Sequence, residues 1–220
     1  MVVRSNGKLA AWLAFVAVLA ILNYAGRFAG GGDTSDDLLY EWSTAIAGVI
    51  QYAVISGLML LIARGLPKRD AFALHRPDSW GAALGLCFAA FIAMLALAAA
   101  TRPFFDPGQE QGLVPEQWDS SRAVPFAANA LVVVVLAPII EELTFRGLGF
   151  SLLERFGRWA AIVFVGLAFA AVHGLVEGFL LLAVFGALLA LIRSRSGSIY
   201  PPILLHAVFN GFALLGSLLV

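Results

Sequence analysis

Charge is what this chain has least of. Only 13% of its 220 residues are Asp, Glu, Lys or Arg, against roughly a quarter in a soluble domain. That shortage excludes an ordinary globular protein and a disordered tail. Excess of either sign is also missing: fourteen basic residues balance fourteen acidic ones, so nothing in the net charge suggests a nucleic-acid partner. The single cysteine, Cys87, permits no internal disulfide. No internal repeat, low-complexity stretch or soluble domain stands out.

What is there is apolar. Hydrophobic residues make up 61% of the chain and the mean hydropathy is +0.91. A bilayer core about 30 Å thick needs roughly 20 apolar residues as helix. Candidate spans run over 9–28, 44–63, 80–100, 125–153, 159–173, 175–192 and 199–220. The fold class expected is therefore all-α, a polytopic membrane helix bundle of about seven spans, with six to eight allowed. A barrel is excluded, because no ten-residue alternating pattern is present. Residues 1–220 read as a single integral membrane domain. The basic start and apolar core of residues 1–30 also fit a signal peptide; the apolar stretch is long for one and reads better as a span.

The loops between spans alternate in charge. Arg4, Lys8, Arg64, Lys68, Arg69, Arg76, Arg155, Arg158, Arg193 and Arg195 fall on one side, and Arg27, Arg102 and Arg122 on the other. The second side carries Asp33, Asp36, Asp37, Glu41, Asp106, Glu110, Glu116 and Asp119. Ten bases against three place the N-terminus and the basic loops in the cytoplasm, and an odd span count puts the C-terminus outside. Gly30-Gly31-Gly32 and Asp33 to Asp37 read as a flexible external loop. Pro103, Pro107 and Pro115 mark another. Trp12, Trp42, Trp80 and Trp159 read as interfacial anchors near span ends, Cys87 as a packing residue, and His75 as a solvated loop histidine.

Ionisable groups inside spans are expensive and mark functional sites. The fourth span holds Glu141, Glu142 and Arg146, the fifth ends in His173, and the last holds His206 and Asn210. At about 1.5 Å per residue, Glu141, His173, His206 and Asn210 all fall in one layer near mid-membrane, toward the basic loops. Access from the cytoplasmic side is the expectation. Glu142 and Arg146 are four apart and can pair across one turn, whereas Glu141 lies about 100° around the helix and stays free. His206 and Asn210 share a face, as do Phe169 and His173. Pro138 should kink the fourth helix and free a backbone carbonyl beside the site.

Two mechanisms fit these residues. Glu141, assisted by His173, takes a proton from water while His206 and Asn210 donate to a developing oxyanion. Alternatively Glu141, His173 and His206 hold a zinc ion that activates the water, although the two-histidine zinc-protease helix signature is absent. Both suit hydrolysis of an amide or ester. The structural alternatives are a register-fixing ion pair for Glu142 and Arg146, and helix-to-helix hydrogen bonding for His206 and Asn210.

At these residues the chain resembles the membrane-embedded CAAX prenyl protease type II family, also called CPBP intramembrane metalloproteases or abortive-infection proteins. The motifs are Glu141-Glu142-Leu-Thr-Phe-Arg146, Phe169-Ala-Ala-Val-His173 and His206-Ala-Val-Phe-Asn210, in the family's order. The stretch from Arg193 to His206 also looks like the family's approach to its last histidine. The likeness covers about residues 125–215, the expected catalytic core. It implies that Glu141 and His173 activate water, that His206 and Asn210 stabilise the transition state, and that Glu142 and Arg146 support the site. It leaves open whether zinc is used. The implied activity is endopeptidase cleavage near the C-terminus of a prenylated or membrane-inserted peptide substrate in the lipid bilayer. Some bacterial relatives are associated with bacteriocin immunity or peptide processing. Twelve arginines against two lysines, with abundant alanine, fit a GC-rich bacterial source, so the expected location is a bacterial cytoplasmic membrane. The rival readings are a non-catalytic scaffold or immunity protein on the same fold, and a proton or ion transporter. The lack of inverted repeats counts against the transporter.

Overall fold

The computed structural model describes residues 5–29, 38–105, 110 and 118–217. Among them there is no strand. Helices α1 (Asn6–Ala29), α2 (Trp42–Ile62), α3 (Lys68–Ala71) and α4 (Trp80–Thr101) are followed by α5 (Ser120–Phe156), α6 (Arg158–Ala171), α7 (Phe179–Ser196) and α8 (Tyr200–Ser217). The protein is an all-α membrane helix bundle. Each of the seven apolar segments appears as a helix, and α1, α2, α4, α5 and α7 are long and apolar enough to cross a bilayer.

The other two are shorter among the described residues. α6 has 14 residues, and the apolar stretch of α8 runs over Tyr200–Gly216. The expected break between 173 and 175 is a longer turn over 172–178, which moves the start of α7 to Phe179. Gly174 in that turn has φ +65°, a left-handed conformation that glycine adopts without strain. The expected glycine and aspartate loop at 30–37, and Pro107 and Pro115, lie outside the described residues.

Local signals set several helix ends. The Ser79 hydroxyl caps α4 by accepting the Ala82 N–H at 3.3 Å. Asp119 does the same for α5: its carboxylate accepts from the Ser121 hydroxyl and from Arg122 at 2.6 Å, and from the Ser121 N–H at 2.9 Å. Those bonds, Ser121 first, hold its pKa down at about 2. α7 stops at Gly197, which has φ +65°.

Polar clasps define the two ends of the bundle. At one, Lys8 Nζ donates to the carbonyls of Ile62 and Arg64, and Arg155 bonds the Asn6 side chain at 2.7 Å. At the other, Asn23, Tyr24 and Arg27 of α1 donate to the carbonyls of Val172, Leu175 and Gly174. The described basic residues of the loop after α2 and of the α5–α6 junction gather at the first end. Large apolar side chains such as Leu22, Ile50 and Phe88 are exposed on the bundle's outside, the reverse of a soluble surface and suited to lipid.

Two close approaches hold the centre. Gly166 on α6 faces Gly186 on α7, so near that a Cβ on Gly186 would lie 2.9 Å from the Gly166 Cα; small residues let membrane helices pack backbone to backbone. Trp12 corrects an expectation. It is fully buried rather than interfacial, its Nε1 donates to the Thr144 carbonyl at 3.1 Å, and its ring fills the space over Gly149. The apolar body and single donor of the indole are both satisfied there, so α1 is keyed into α5. Trp42, Trp80 and Trp159 are exposed. Cys87 is buried in packing, and His75 is partly exposed, as expected, and pairs with Asp70 at 3.1 Å.

Candidate active site

The site is built on an irregular stretch of α5. π-Helical turns at Val132–Leu136 and Leu143–Gly149 flank the α-helical segment Ala137–Glu142. In the first of them the Ala137 N–H bonds the Val132 carbonyl, five residues back. The same register would give the Val133 carbonyl to the nitrogen of Pro138, which has no hydrogen. Asn210 of α8 supplies the missing donor, its Nδ2 lying 2.9 Å from the Val133 oxygen. The freed carbonyl expected from Pro138 is therefore present, and it ties α8 to α5 beside the two glutamates.

Glu142 faces inward and is 0% exposed, as is Arg146. Arg146 Nη1 bonds Glu142 Oε1 at 2.7 Å, its Nη2 donates to the Gly186 carbonyl at 2.9 Å, and its guanidinium lies 4.2 Å from the centre of the Phe169 ring. The close pairing of α6 and α7 through glycine is what brings that carbonyl and that ring within reach. The expected ion pair is present, with a further member: Glu142 Oε1 also lies 2.9 Å from His206 Nδ1.

Glu141 points elsewhere, as its position around the helix requires. Its Oε1 accepts the Tyr52 hydroxyl at 2.6 Å. Its Oε2 lies 3.7 Å from His206 Nε2 and 4.0 Å from His173 Nε2. Both distances exceed a direct hydrogen bond. His173 stands two residues past the end of α6, in the turn, where its Nδ1 faces the Phe169 carbonyl at 2.6 Å and its ring packs on Phe169 at 4.5 Å between centres. A carbonyl and a carboxylate can only accept, so Nδ1 carries the proton in both histidines. Each Nε2 faces Glu141 Oε2 beyond direct hydrogen-bond distance, able to accept in a neutral ring or to donate in a protonated one.

These three polar atoms come from three helical regions, and each Nε2 lies near enough to Glu141 Oε2 for a water to bridge the two. They border a cavity of about 680 Å³ that is otherwise mostly apolar, and Asn210, Tyr52 and Thr144 also line it. Asn210 has a second amide N–H beyond the one given to Val133. Every site residue expected from the motifs lies in or directly behind this cavity. The cavity extends toward Asn23, Leu38 and Ala213, at the end where α1 finishes and α2 begins. Access was expected from the basic end instead. The reason is α6: 14 residues rise only about 21 Å, so its terminating turn, with His173, lies within the apolar thickness and leaves room beyond it.

The donors fit zinc in kind: one carboxylate oxygen and two imidazole Nε2 atoms whose Nδ1 sides are already oriented. Their separations are wider than the roughly 3.3 Å between neighbouring ligands of a tetrahedral zinc. Among the described residues no three His, Cys, Asp or Glu groups are drawn together into a metal-holding cluster.

The sequence did not single out Tyr52. A hydroxyl beside Gln51 in the middle of an apolar span was the available signal, since neutral polar groups in lipid also need partners.

Comparison with known proteins agrees with the motifs. Residues 123–212 match the family described as Type II CAAX prenyl endopeptidase Rce1-like. The chain is 28% identical over 210 residues to "Putative membrane peptidase YdiL" of Bacillus subtilis (strain 168), covering 93% of this chain and 84% of that protein. No solved structure matches it. The likeness to the type II CAAX prenyl endopeptidases holds, and both relationships support a membrane protease.

Proposed function

We propose that this protein is an intramembrane endopeptidase that hydrolyses a peptide bond near the C-terminus of a lipid-attached, CAAX-type prenylated or membrane-inserted substrate. One observation carries the reading: the Nε2 atoms of His173 and His206 both come within 4.0 Å of Glu141 Oε2 in a largely apolar cavity. Scattered structural polar groups have no need to meet there.

Glu141 acts as the general base. Tyr52 occupies its Oε1, which directs Oε2 to a water shared with the histidines. His173, fixed by its bond to the Phe169 carbonyl, orients that water. As the water attacks the substrate carbonyl, negative charge grows on the carbonyl oxygen. A proton on His206 Nε2, balanced by the Glu142 carboxylate behind Nδ1, and the second N–H of Asn210 are the donors to that oxyanion. The proton taken by Glu141 passes to the leaving amine. Glu142 and Arg146 hold His206 in place. Should the protein carry zinc, Glu141, His173 and His206 would hold it, and it would supply a more acidic bound water.

In a bacterial cytoplasmic membrane, the basic end faces the cytoplasm and the C-terminus lies outside, by the charge of the loops. The test is cleavage of quenched fluorescent peptides, farnesylated and unmodified, by purified protein and its Glu141→Ala variant. Cleavage that depends on Glu141 supports the peptidase, and preference for the farnesylated form supports a CAAX-type substrate. Undiminished cleavage by both Glu141→Ala and His206→Ala would remove the basis of the proposal.

A further inference from the structure

The turn that carries His173 is held by groups from elsewhere in the chain. α7 has Gly178 at its N-cap, and no local side chain caps it. Val176, Glu177 and Gly178 offer no serine, threonine, aspartate or asparagine for the purpose. The free N–H groups are taken instead by Glu110, which lies between α4 and α5. Its Oε1 accepts the Val176 N–H at 2.6 Å and its Oε2 the Gly178 N–H at 2.9 Å, from 66 and 68 positions away. A carboxylate there also meets the positive end of the α7 dipole. The Glu110 side chain is only 10% exposed, and a charge withdrawn from water needs such partners. Its third partner is Arg27, near the end of α1. Arg27 Nη1 lies 3.3 Å from Glu110 Oε1, and Nη2 donates to the Glu110 carbonyl at 2.9 Å. Nε of the same guanidinium donates to the Gly174 carbonyl at 2.6 Å.

His173 depends on that arrangement. It follows α6 rather than belonging to it, so its place is set by the turn and not by a continuing helix. Arg27 grips the next residue, and Glu110 grips the turn's far end. We infer that Glu110, locked by Arg27, is a positioning residue that fixes the His173 ring against Glu141. Its effect on rate rests on the hydrolytic reading above; its effect on the ring does not. Neither Glu110 nor Arg27 belongs to residues 123–212, which match the family, so the site is completed from outside that core. With the turn held, the bond to the Phe169 carbonyl keeps the His173 proton on Nδ1. With the turn released, the ring leaves that carbonyl, and Nε2 moves away from Glu141 Oε2. A displacement of about 1 Å in a group that orients a reactant costs up to about a hundredfold in rate.

The experiment uses full-length protein in liposomes with ¹⁵N-labelled histidine, read by solid-state NMR at about pH 8.5, above the ordinary histidine pKa. The chain has three histidines, so their signals are assigned by replacing each in turn. Glu110→Gln keeps the size but only one acceptor oxygen, and Glu110→Ala removes both. Asn6→Ala is the control, since it breaks the clasp with Arg155 at the opposite end. Wild-type protein and Asn6→Ala should show His173 as the single Nδ1–H tautomer. Both Glu110 variants should show mixed tautomers at His173 alone, with His75 and His206 unchanged. For a farnesylated peptide, kcat should fall roughly tenfold to a hundredfold in the Glu110 variants, with KM nearly unchanged. Mixed tautomers at His173 in a protein that cleaves no peptide even as wild type would uphold the positioning and count against the hydrolytic reading. An unchanged His173, or a changed one with full kcat, would overturn the inference. So would changes spread over all three histidines in Glu110→Gln, which would make Glu110 a general structural residue.

Discussion

Tyr52 does more at the site than any residue the motifs omit. Its hydroxyl bonds Glu141 Oε1 at 2.6 Å, so it decides which carboxylate oxygen meets the histidines. A hydrogen bond to a charged group contributes about 1.5–3 kcal/mol. Tyr52→Phe keeps the ring and removes only that bond. Steady-state kinetics should show kcat lowered roughly tenfold to a hundredfold, with KM and thermal unfolding nearly unchanged. An unchanged kcat would reduce Tyr52 to packing. The Glu142–Arg146 pair was readable from sequence because its geometry is local, four positions along one helix. The Tyr52–Glu141 bond joins residues 89 positions apart, and no spacing rule reaches that far. Trp12 failed for the same reason. Its place near the start of a span suggested the interface, while its partners, Thr144 and Gly149, lie on α5.

Among the helices, α5 carries most of what makes the site. Apolar run length located it, and Pro138 indicated where its hydrogen bonding would break. Its two π-helical turns were not legible, since a π turn and an α turn bury the same residue types. The end of α6 was misjudged for a related reason: the sequence stays apolar from Trp159 through Val172, so hydropathy could not show that the helix stops at Ala171. The contact between α1 and α5 offers a direct test. A Cβ on Gly149 would lie 2.3 Å from Cζ2 of Trp12, well inside contact distance. Gly149→Ala should therefore destabilise the protein by about 1–3 kcal/mol, seen as a lower unfolding midpoint in detergent. In a Trp12→Leu background the same change should cost much less, because the clash is gone. Equal costs in both backgrounds would mean that α1 is not keyed into α5 at this point.

The whole molecule presents a polarity that the sequence showed only in part. Charge alternation paired the loops correctly, and the clasps at Lys8 and Arg155 gather one set of ends together. The direction of the cavity was not legible. It depends on the short α6 and on α1 reaching over the 172–178 turn, where Asn23, Tyr24 and Arg27 hold the backbone. The proposed orientation is tested by membrane-impermeant maleimide labelling of single-cysteine variants in intact cells, with Cys87 replaced by serine. Arg102→Cys should label from outside, and Arg69→Cys only after the membrane is opened. The reverse pattern would invert the orientation and turn the cavity toward the cytoplasm.

Hydrolysis by a water held at Glu141 is tested most directly by following the oxygen. Wild-type protein and its Glu141→Gln variant are incubated with a farnesylated C-terminal peptide in ¹⁸O-labelled water, and the products are weighed by mass spectrometry. Wild-type protein should yield two fragments, with one heavy oxygen in the new carboxylate, while the Glu141→Gln variant, folded to the same thermal midpoint, should yield none. Fragments formed equally by both proteins, or an intact peptide with wild-type protein that binds it, would contradict the assignment of Glu141 as the base.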